Sequence, residues 1–230
     1  MSMKFEFERL AEDIGRQGTR GTRVLDAIRQ AIVQLRLRPG DLLSEAEVAR
    51  LLGVSRQPVR EAFIKLAELG LVEIRPQRGT FVVLISKREV QNARFIREAV
   101  EVAVVRKAAE EASDDAIAAI RRVLEQQRKA NADADNVAFL ALDDAFHRGL
   151  AQAVDCEDAW RVLESRKAQM DRVRYLSMPE ATPLETLIAQ HEAIARHDPE
   201  EAETAMRAHL SEITKSLPRL ARNYPELFSD

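Results

Sequence analysis

Apolar residues recur at helical spacing over most of this 230-residue chain. Val24, Leu25, Ile28, Ile32 and Leu35 predict a helix over about 22–36, which Pro39-Gly40 must end. Val48, Leu51 and Leu52 give a second, shorter helix one apolar face. Ser44 and Glu47 form a capping box at its start, and Gly53 marks its stop. A third helix follows at once, capped by Ser55. Val59, Phe63 and Leu66 form its buried side, and Arg56, Gln57 and Arg60 occupy its first turns. After Gly70 the period changes. Leu71-Val72-Glu73-Ile74-Arg75 and Thr80-Phe81-Val82-Val83-Leu84 are short and β-branched, with Pro76-Gln77-Arg78-Gly79 between them, and read as a hairpin.

From Ser86 the helical period returns and stays. A long helix to about 112 should bury Val90, Phe95, Val102, Val105 and Ala109. A second covers about 114–130. A third begins after Asn136 with Phe139, Leu142, Phe146 and Leu150 inward, and a fourth covers about 157–177 with Trp160, Leu163, Met170 and Val173. Thr182-Pro183-Leu184-Glu185 and Asp198-Pro199-Glu200-Glu201 each supply a cap, a first-turn proline and acids, so two more helices start there. Pro218 should kink or end the last. The expected fold is mainly α. An N-terminal winged helix-turn-helix (three helices plus a β-hairpin wing) precedes an all-α antiparallel bundle of about six helices. The boundaries are an extension at 1–18, the winged module at 19–84 and the bundle at 85–225.

Charge sharpens this division. The net charge is −3, yet residues 19–84 carry 11 Lys+Arg against 7 Asp+Glu, while 85–230 carry 21 against 27. A basic front and an acidic rear suit a DNA-contacting module joined to one with another task. Aromatics at 5% argue against a stacking platform for single strands. The one cysteine, Cys156, excludes an internal disulfide, suits a reducing cytoplasm and reads as structural. No apolar run has the length of a membrane span, and the N-terminal residues lack the apolar core of a signal peptide.

In the winged module, Arg56 and Arg60 lie four apart and are placed for groove contact with double-stranded DNA, Arg being able to bind guanine or phosphate; the bland alternative is a solvated helix face. Ser55 and Gln57 sit where a helix N-terminus attracts phosphate. Arg50 faces the DNA backbone or solvent, and Arg75 and Arg78, near the wing tip, could reach phosphates or an adjacent minor groove.

In the bundle, Asp143 and His147 share one helix face with Phe139 and Leu150, so that face points inward. A carboxylate and an imidazole facing a core need a partner or an ion. With His191 and His209 from two further helices, they can converge on a divalent transition metal; each histidine alone reads equally as a satisfied core or surface residue. His197, beside the Asp198-Pro199 break, reads as exposed.

These residues carry a resemblance. Gly53-Val54-Ser55-Arg56-Gln57-Pro58-Val59-Arg60-Glu61-Ala62, then Leu69-Gly70-Leu71-Val72 and Pro76-Gln77-Arg78-Gly79, resemble the winged helix-turn-helix of GntR-type bacterial transcription regulators. The helical remainder resembles the FCD effector domain of their FadR branch. The likeness spans about 19–223. It implies a homodimer on a pseudo-palindromic operator, with a small organic acid in the bundle altering DNA affinity, most simply as a repressor. Asp143 and His147 resemble the Asp-x-x-Phe-His element of the metal-binding FCD subgroup, and His191 and His209 fall where its other ligands would be, 18 residues apart and about one turn closer than in relatives. Zn, Ni or Mn is the implied ion. Arg97 and Arg94 are placed to meet the ligand's carboxylate, or to pair with Glu98 or Glu101 at the surface. Arg172, Arg174 and Tyr175 stand in a similar position. Ala46 replaces a basic residue common in the branch, so relatives' operator preference does not carry over. Two rival readings are a metal-dependent hydrolase, with Asp144 or Glu192 near the ligands, and a regulator sensing the ion alone.

Overall fold

The structure, a computed structural model, describes residues 19–178, 182–196 and 198–229. The proposed extension at 1–18 and His197 lie outside them. Contacts divide the chain into two units, one running to Lys87 and taking in Tyr224 onward, the other Arg88–Asn223.

The first unit contains α1 (Arg20–Val33), β1 (Leu42–Leu43), α2 (Glu45–Leu51), α3 (Arg56–Glu68), β2 (Val72–Arg75), β3 (Gly79–Val82), β4 (Ile85–Ser86) and β5 (Phe228–Ser229). Helix α1 packs on α3, and Val24, Ile28, Ile32, Val59, Phe63 and Leu66 are buried. Helix α1 ends at Val33, short of the expected boundary, because Leu35 takes a left-handed backbone (φ 54°). Ser44 caps α2 by accepting from the Glu47 amide, and Gly53 (φ 63°) turns the chain out of it. Ser55 precedes α3 but its side chain makes no cap bond, so its hydroxyl stays exposed. The hairpin forms as expected, with Val72 opposite Val82 and Arg75 opposite Gly79. Gly79 has φ 108°, and a Cβ there would come within 2.5 Å of Leu42. That close approach exists because β1 adds a third antiparallel strand, in order β1-β3-β2. At two residues, β1 is too short to leave a periodic signal. So are β4 and β5, which pair in parallel.

The second unit is helical: α4 (Lys87–Glu111, from its second residue), α5 (Asp114–Ala132), α6 (Asn136–Gln152), α7 (Glu157–Arg166), α8 (Ala168–Ser177), α9 (Leu184–Ile194) and α10 (Pro199–Asn223). Among the described residues, seven helices replace the expected six. The expected 157–177 helix breaks at Lys167, whose buried ammonium reaches Asp144 at 2.6 Å and Asp171 at 2.7 Å. No Gly or Pro announces that break. Helix α10 continues through Pro218, with Leu217 and Leu220 buried beside it, where an interruption was expected. Phe95 is 68% exposed rather than inward. The buried face of α4 runs instead through Val90, Ala93, Arg97, Glu101 and Val105, and so includes two charges that a hydrophobic count passes over. Val105, Ile120, Phe146, Trp160 and Met206 belong to one apolar cluster. Phe139 and Ile188 belong to a smaller one. Among the described residues, no helix is long and apolar enough to cross a membrane.

Candidate functional site

Helix α3 presents Arg56, Gln57, Arg60 and Glu61 to solvent, with Ser55 exposed at its N-terminus. Gln57 Nε2 donates to Glu61 Oε1 at 2.8 Å, which fixes the amide on that face. Arg50 on α2 and Arg78 at the wing tip are exposed too. Among the described residues, Arg50, Arg56, Arg60 and Arg78 form no ion pair. Arg75 differs. It donates to Glu73 at 2.7 Å and lies 4.9 Å from the Phe81 ring centre, so it stiffens the wing. Arg56 and Arg60 on α3, with Arg50 on α2 and Arg78 on the wing, are exposed guanidiniums of the kind that suits phosphates and base edges.

In the second unit, α6, α9 and α10 bring Asp143, His147, His191 and His209 together, all buried, with one donor atom of each within 4.8 Å of the others. His209 Nε2 lies 3.2 Å from His147 Nε2 and 3.4 Å from His191 Nε2. Asp143 places Oδ1 3.5 Å from His191 Nε2 and Oδ2 3.6 Å from His147 Nε2. The 18-residue spacing of His191 and His209 therefore still closes the set. The outer nitrogens explain the arrangement. His147 Nδ1 contacts Glu101, and His191 Nδ1 donates to Gln127 Oε1 at 2.9 Å. A carboxylate and an amide oxygen are acceptors, so both Nδ1 atoms carry a proton and the Nε2 atoms are the ones turned inward. Burial and neighbouring cations oppose further protonation: His191 is lowered to about 3, and His209 lies well below its ordinary value. Three imidazoles thus converge on one buried carboxylate. Donors held about 2.1 Å from one cation sit about 3.0–3.5 Å apart, so the set fits a divalent transition metal.

A dense ion-pair network surrounds this set. Arg97 pairs with Glu101, which is itself in contact with His147. Arg174 pairs with Asp143, with Asp144 at 2.9 Å and with Asp171 at 3.1 Å. Lys167 joins Asp144 to Asp171 from the other side. Burial alone would raise these carboxyls. For Glu101, Arg97 and His147 outweigh it; for Asp143, Arg174 and the imidazoles do, and both carboxyls stay well below the usual range. Asp144 is lowered to about 2, Arg174 and Lys167 outweighing its burial.

A cavity opens beside the donor set. Arg97, Asp143, Arg174, His209 and Glu212 line it, with Phe139, Met170, Leu210 and Ile213 as apolar wall. Of the five side chains expected to meet a ligand, Arg94, Arg97, Arg172, Arg174 and Tyr175, it includes Arg97 and Arg174. Arg94 lies on a part-exposed turn and pairs with Glu98, which also accepts from Arg207 at 2.6 Å. Arg172 points to the opposite side of α8 from Arg174, since two residues turn a helix by about 200°. It is fully buried, donates to Gln169 at 3.1 Å, and burial lowers it to about 10. Tyr175 lies in a separate groove beside Asp135 and Asn136. Sequence reasoning missed Glu101, Gln127, Lys167 and Glu212 as parts of the site. The Arg97–Glu101 and Lys167–Asp171 spacings of four were the available signal. Cys156 stands free, partly buried against the main apolar cluster.

Known proteins match along nearly the whole chain. Residues 20–82 fit the family described as bacterial regulatory proteins, gntR family, and residues 93–212 fit the FCD domain. The HTH-type transcriptional repressor RspR of Escherichia coli K12 is 44% identical over 207 residues, 88% of this chain and 91% of that protein. A GntR transcriptional regulator from Rhodococcus sp. RHA1 superposes with a TM-score of 0.71 at 26% identity, over 87% of this chain and 99% of the other. Escherichia coli McbR/YncC shares the fold with a TM-score of 0.73 at 19% identity, over 90% and 100%.

Proposed function

The chain belongs to the gntR family of bacterial regulatory proteins and carries an FCD domain, and from that premise we propose that it is a metal-dependent, acid-responsive repressor acting as a homodimer in the cytoplasm. It is a transcriptional regulator and not an enzyme, as its relatives are, which removes the hydrolase reading. The proposal assigns Arg56 and Arg60 to the major groove, and Ser55, Gln57, Arg50 and Arg78 to the phosphate backbone, with two copies reading two half-sites.

Asp143, His147, His191 and His209 would hold Zn, Ni or Mn. Bound there, the ion supplies a positive anchor for the carboxylate of a small organic acid. The chain's own residues do the rest. Glu101 and Gln127 fix two imidazoles, Arg174 neutralises Asp143, and the apolar wall keeps water from the acid's body. The acid must bind one arrangement of the dimer better than the other, because equal affinity would shift nothing. The convergence of three buried imidazoles on one buried carboxylate is the observation that supports this reading.

The test is elemental analysis of protein purified without chelator, with gel shifts on the promoter region adjoining its own gene. About one ion per chain is expected, together with operator release when organic acids are added to metal-loaded protein and no response in a His191→Ala, His209→Ala double variant. Metal-free protein that still responds to acids would overturn it. Release by metal alone would instead establish the ion as the signal.

A further inference from the structure

Two features of the cavity bear on what it accepts, and both rest on the effector reading above. The first is a charge inventory. Counting the donor set and the cavity wall together, Glu101, Asp143, Asp144, Asp171 and Glu212 stand against Arg97, Lys167, Arg174 and Lys215, five negative groups to four positive. Both guanidiniums that line the cavity are already paired inward, so neither is free for an incoming anion. A divalent cation turns a deficit of one charge into an excess of one. One carboxylate then restores neutrality, and a second overshoots it.

The second feature is Glu212. It lines the cavity three residues after His209 on α10, which sets the two side chains about 5–6 Å apart on one face. Its carboxylate is anchored. Thr182 donates to Oε2 at 2.8 Å, while Gln190 and Lys215 donate to Oε1 at 3.1 and 2.7 Å. Thr182 was expected to cap α9, but Pro183 takes the cap position and the Thr182 hydroxyl turns to Glu212. Burial alone would raise this carboxyl, but Lys215, Thr182 and Gln190 outweigh it and keep it ionised.

We propose that the cavity selects a singly charged acid of about four to six carbons bearing a hydroxyl or amine far from its carboxylate, and that Glu212 imposes this choice. The acid's carboxylate faces the metal end. Its distal donor meets Glu212, and a distal second carboxylate is repelled by it.

Three acids of equal chain length test this on Zn²⁺-reconstituted full-length protein by calorimetry: gluconate, with distal hydroxyls; glucarate, with a distal carboxylate; and hexanoate, with neither. Gluconate should bind about tenfold or more tightly than either of the others. Chelator-treated protein should bind none. Glu212→Gln should shrink the gluconate-to-glucarate ratio several-fold, and Glu212→Asp should restore part of it. Equal affinity for gluconate and glucarate in the wild type overturns the proposal while leaving the effector reading intact. Binding of none of the three to Zn²⁺-loaded protein overturns both. The wild-type ranking decides even if Glu212→Gln does not fold.

Discussion

Arginine serves opposite ends in the two units. Around α3, Arg50, Arg56, Arg60 and Arg78 stand exposed and form no ion pair among the described residues. In the helical unit, Arg97 is buried and held by Glu101, and Arg174, 15% exposed, is held by three carboxylates. An exposed guanidinium retains its hydration and waits for a polyanion, so leaving it unpaired destabilises nothing. A buried one must meet its counter-charge within the fold, and its carboxylates must meet theirs. On the proposed function, positive charge is thus a binding surface in the first unit, while in the second it is a structural element, where the remaining negative charge is what a metal could answer.

The comparison breaks most sharply on stability. Arg174→Ala strands Asp143 and leaves Asp144 and Asp171 to share Lys167, and should destabilise the metal-free protein by about 3–5 kcal/mol in urea. Arg56→Ala should move the same midpoint by no more than about 0.5 kcal/mol. Equal effects would mean that the buried pairs are not closed as drawn.

Acid should separate the units next. His191 has its folded pKa lowered to about 3, so it takes up a proton only on unfolding through most of the range below its ordinary 6.5. The unfolded chain then binds more protons, and stability falls as pH drops from about 6.5 toward 3. Asp144, lowered to about 2 from 3.8, adds stability that is present above 3.8 and lost as pH falls toward 2. The signs agree. Metal-free protein should lose about 2–3 kcal/mol through His191 alone between pH 7 and 4.5, and His191→Gln should flatten that slope. A midpoint that holds or rises at pH 4.5 would show that the imidazole is not held unprotonated.

The same contrast governs how much could be read from the chain. The winged module was legible nearly to the residue, because its cap at Ser44, its turn at Gly53 and its wing at Pro76–Gly79 are local signals. The four residues that could hold a metal were legible as chemistry because inward helix faces rarely carry His and Asp. The network around them was not. Glu101 and Lys167 read as surface charges by composition, and only three-dimensional closure makes them buried. Helix α8 shows the limit best. Arg172 and Arg174 look alike in sequence, and the break at Lys167, which nothing announces, decides which of them faces the cavity. Phe95 misled in the other direction, as an apolar residue that the inward face of α4 leaves out.

On the operator the order of effects reverses. Arg56→Ala should cost about 1–3 kcal/mol of operator binding and relax base preference, if its guanidinium reads a base edge. Arg174→Ala, where it still folds, should leave base preference as it was. A gel-shift series on operator variants checks both, and an unchanged preference for Arg56→Ala would remove it from the groove.

The smallest expected effect tests the finest distinction, between the two arginines of the wing. Arg75 is committed to Glu73 and Phe81, whereas Arg78 is exposed at the tip and forms no ion pair among the described residues. If Arg78 neutralises one phosphate, Arg78→Ala should weaken all sequences alike by about 1 kcal/mol or less at moderate salt, and should lower the slope of log affinity against log salt by about 1. Arg75→Ala should leave that slope in place, since its charge is already spent on Glu73, and should act only through a looser hairpin. A salt titration of operator binding for the two variants separates these outcomes. A loss of slope with Arg75 rather than Arg78 would mean that the ion pair with Glu73 opens on DNA, and that pairing in the free protein does not tell a structural arginine from a binding one.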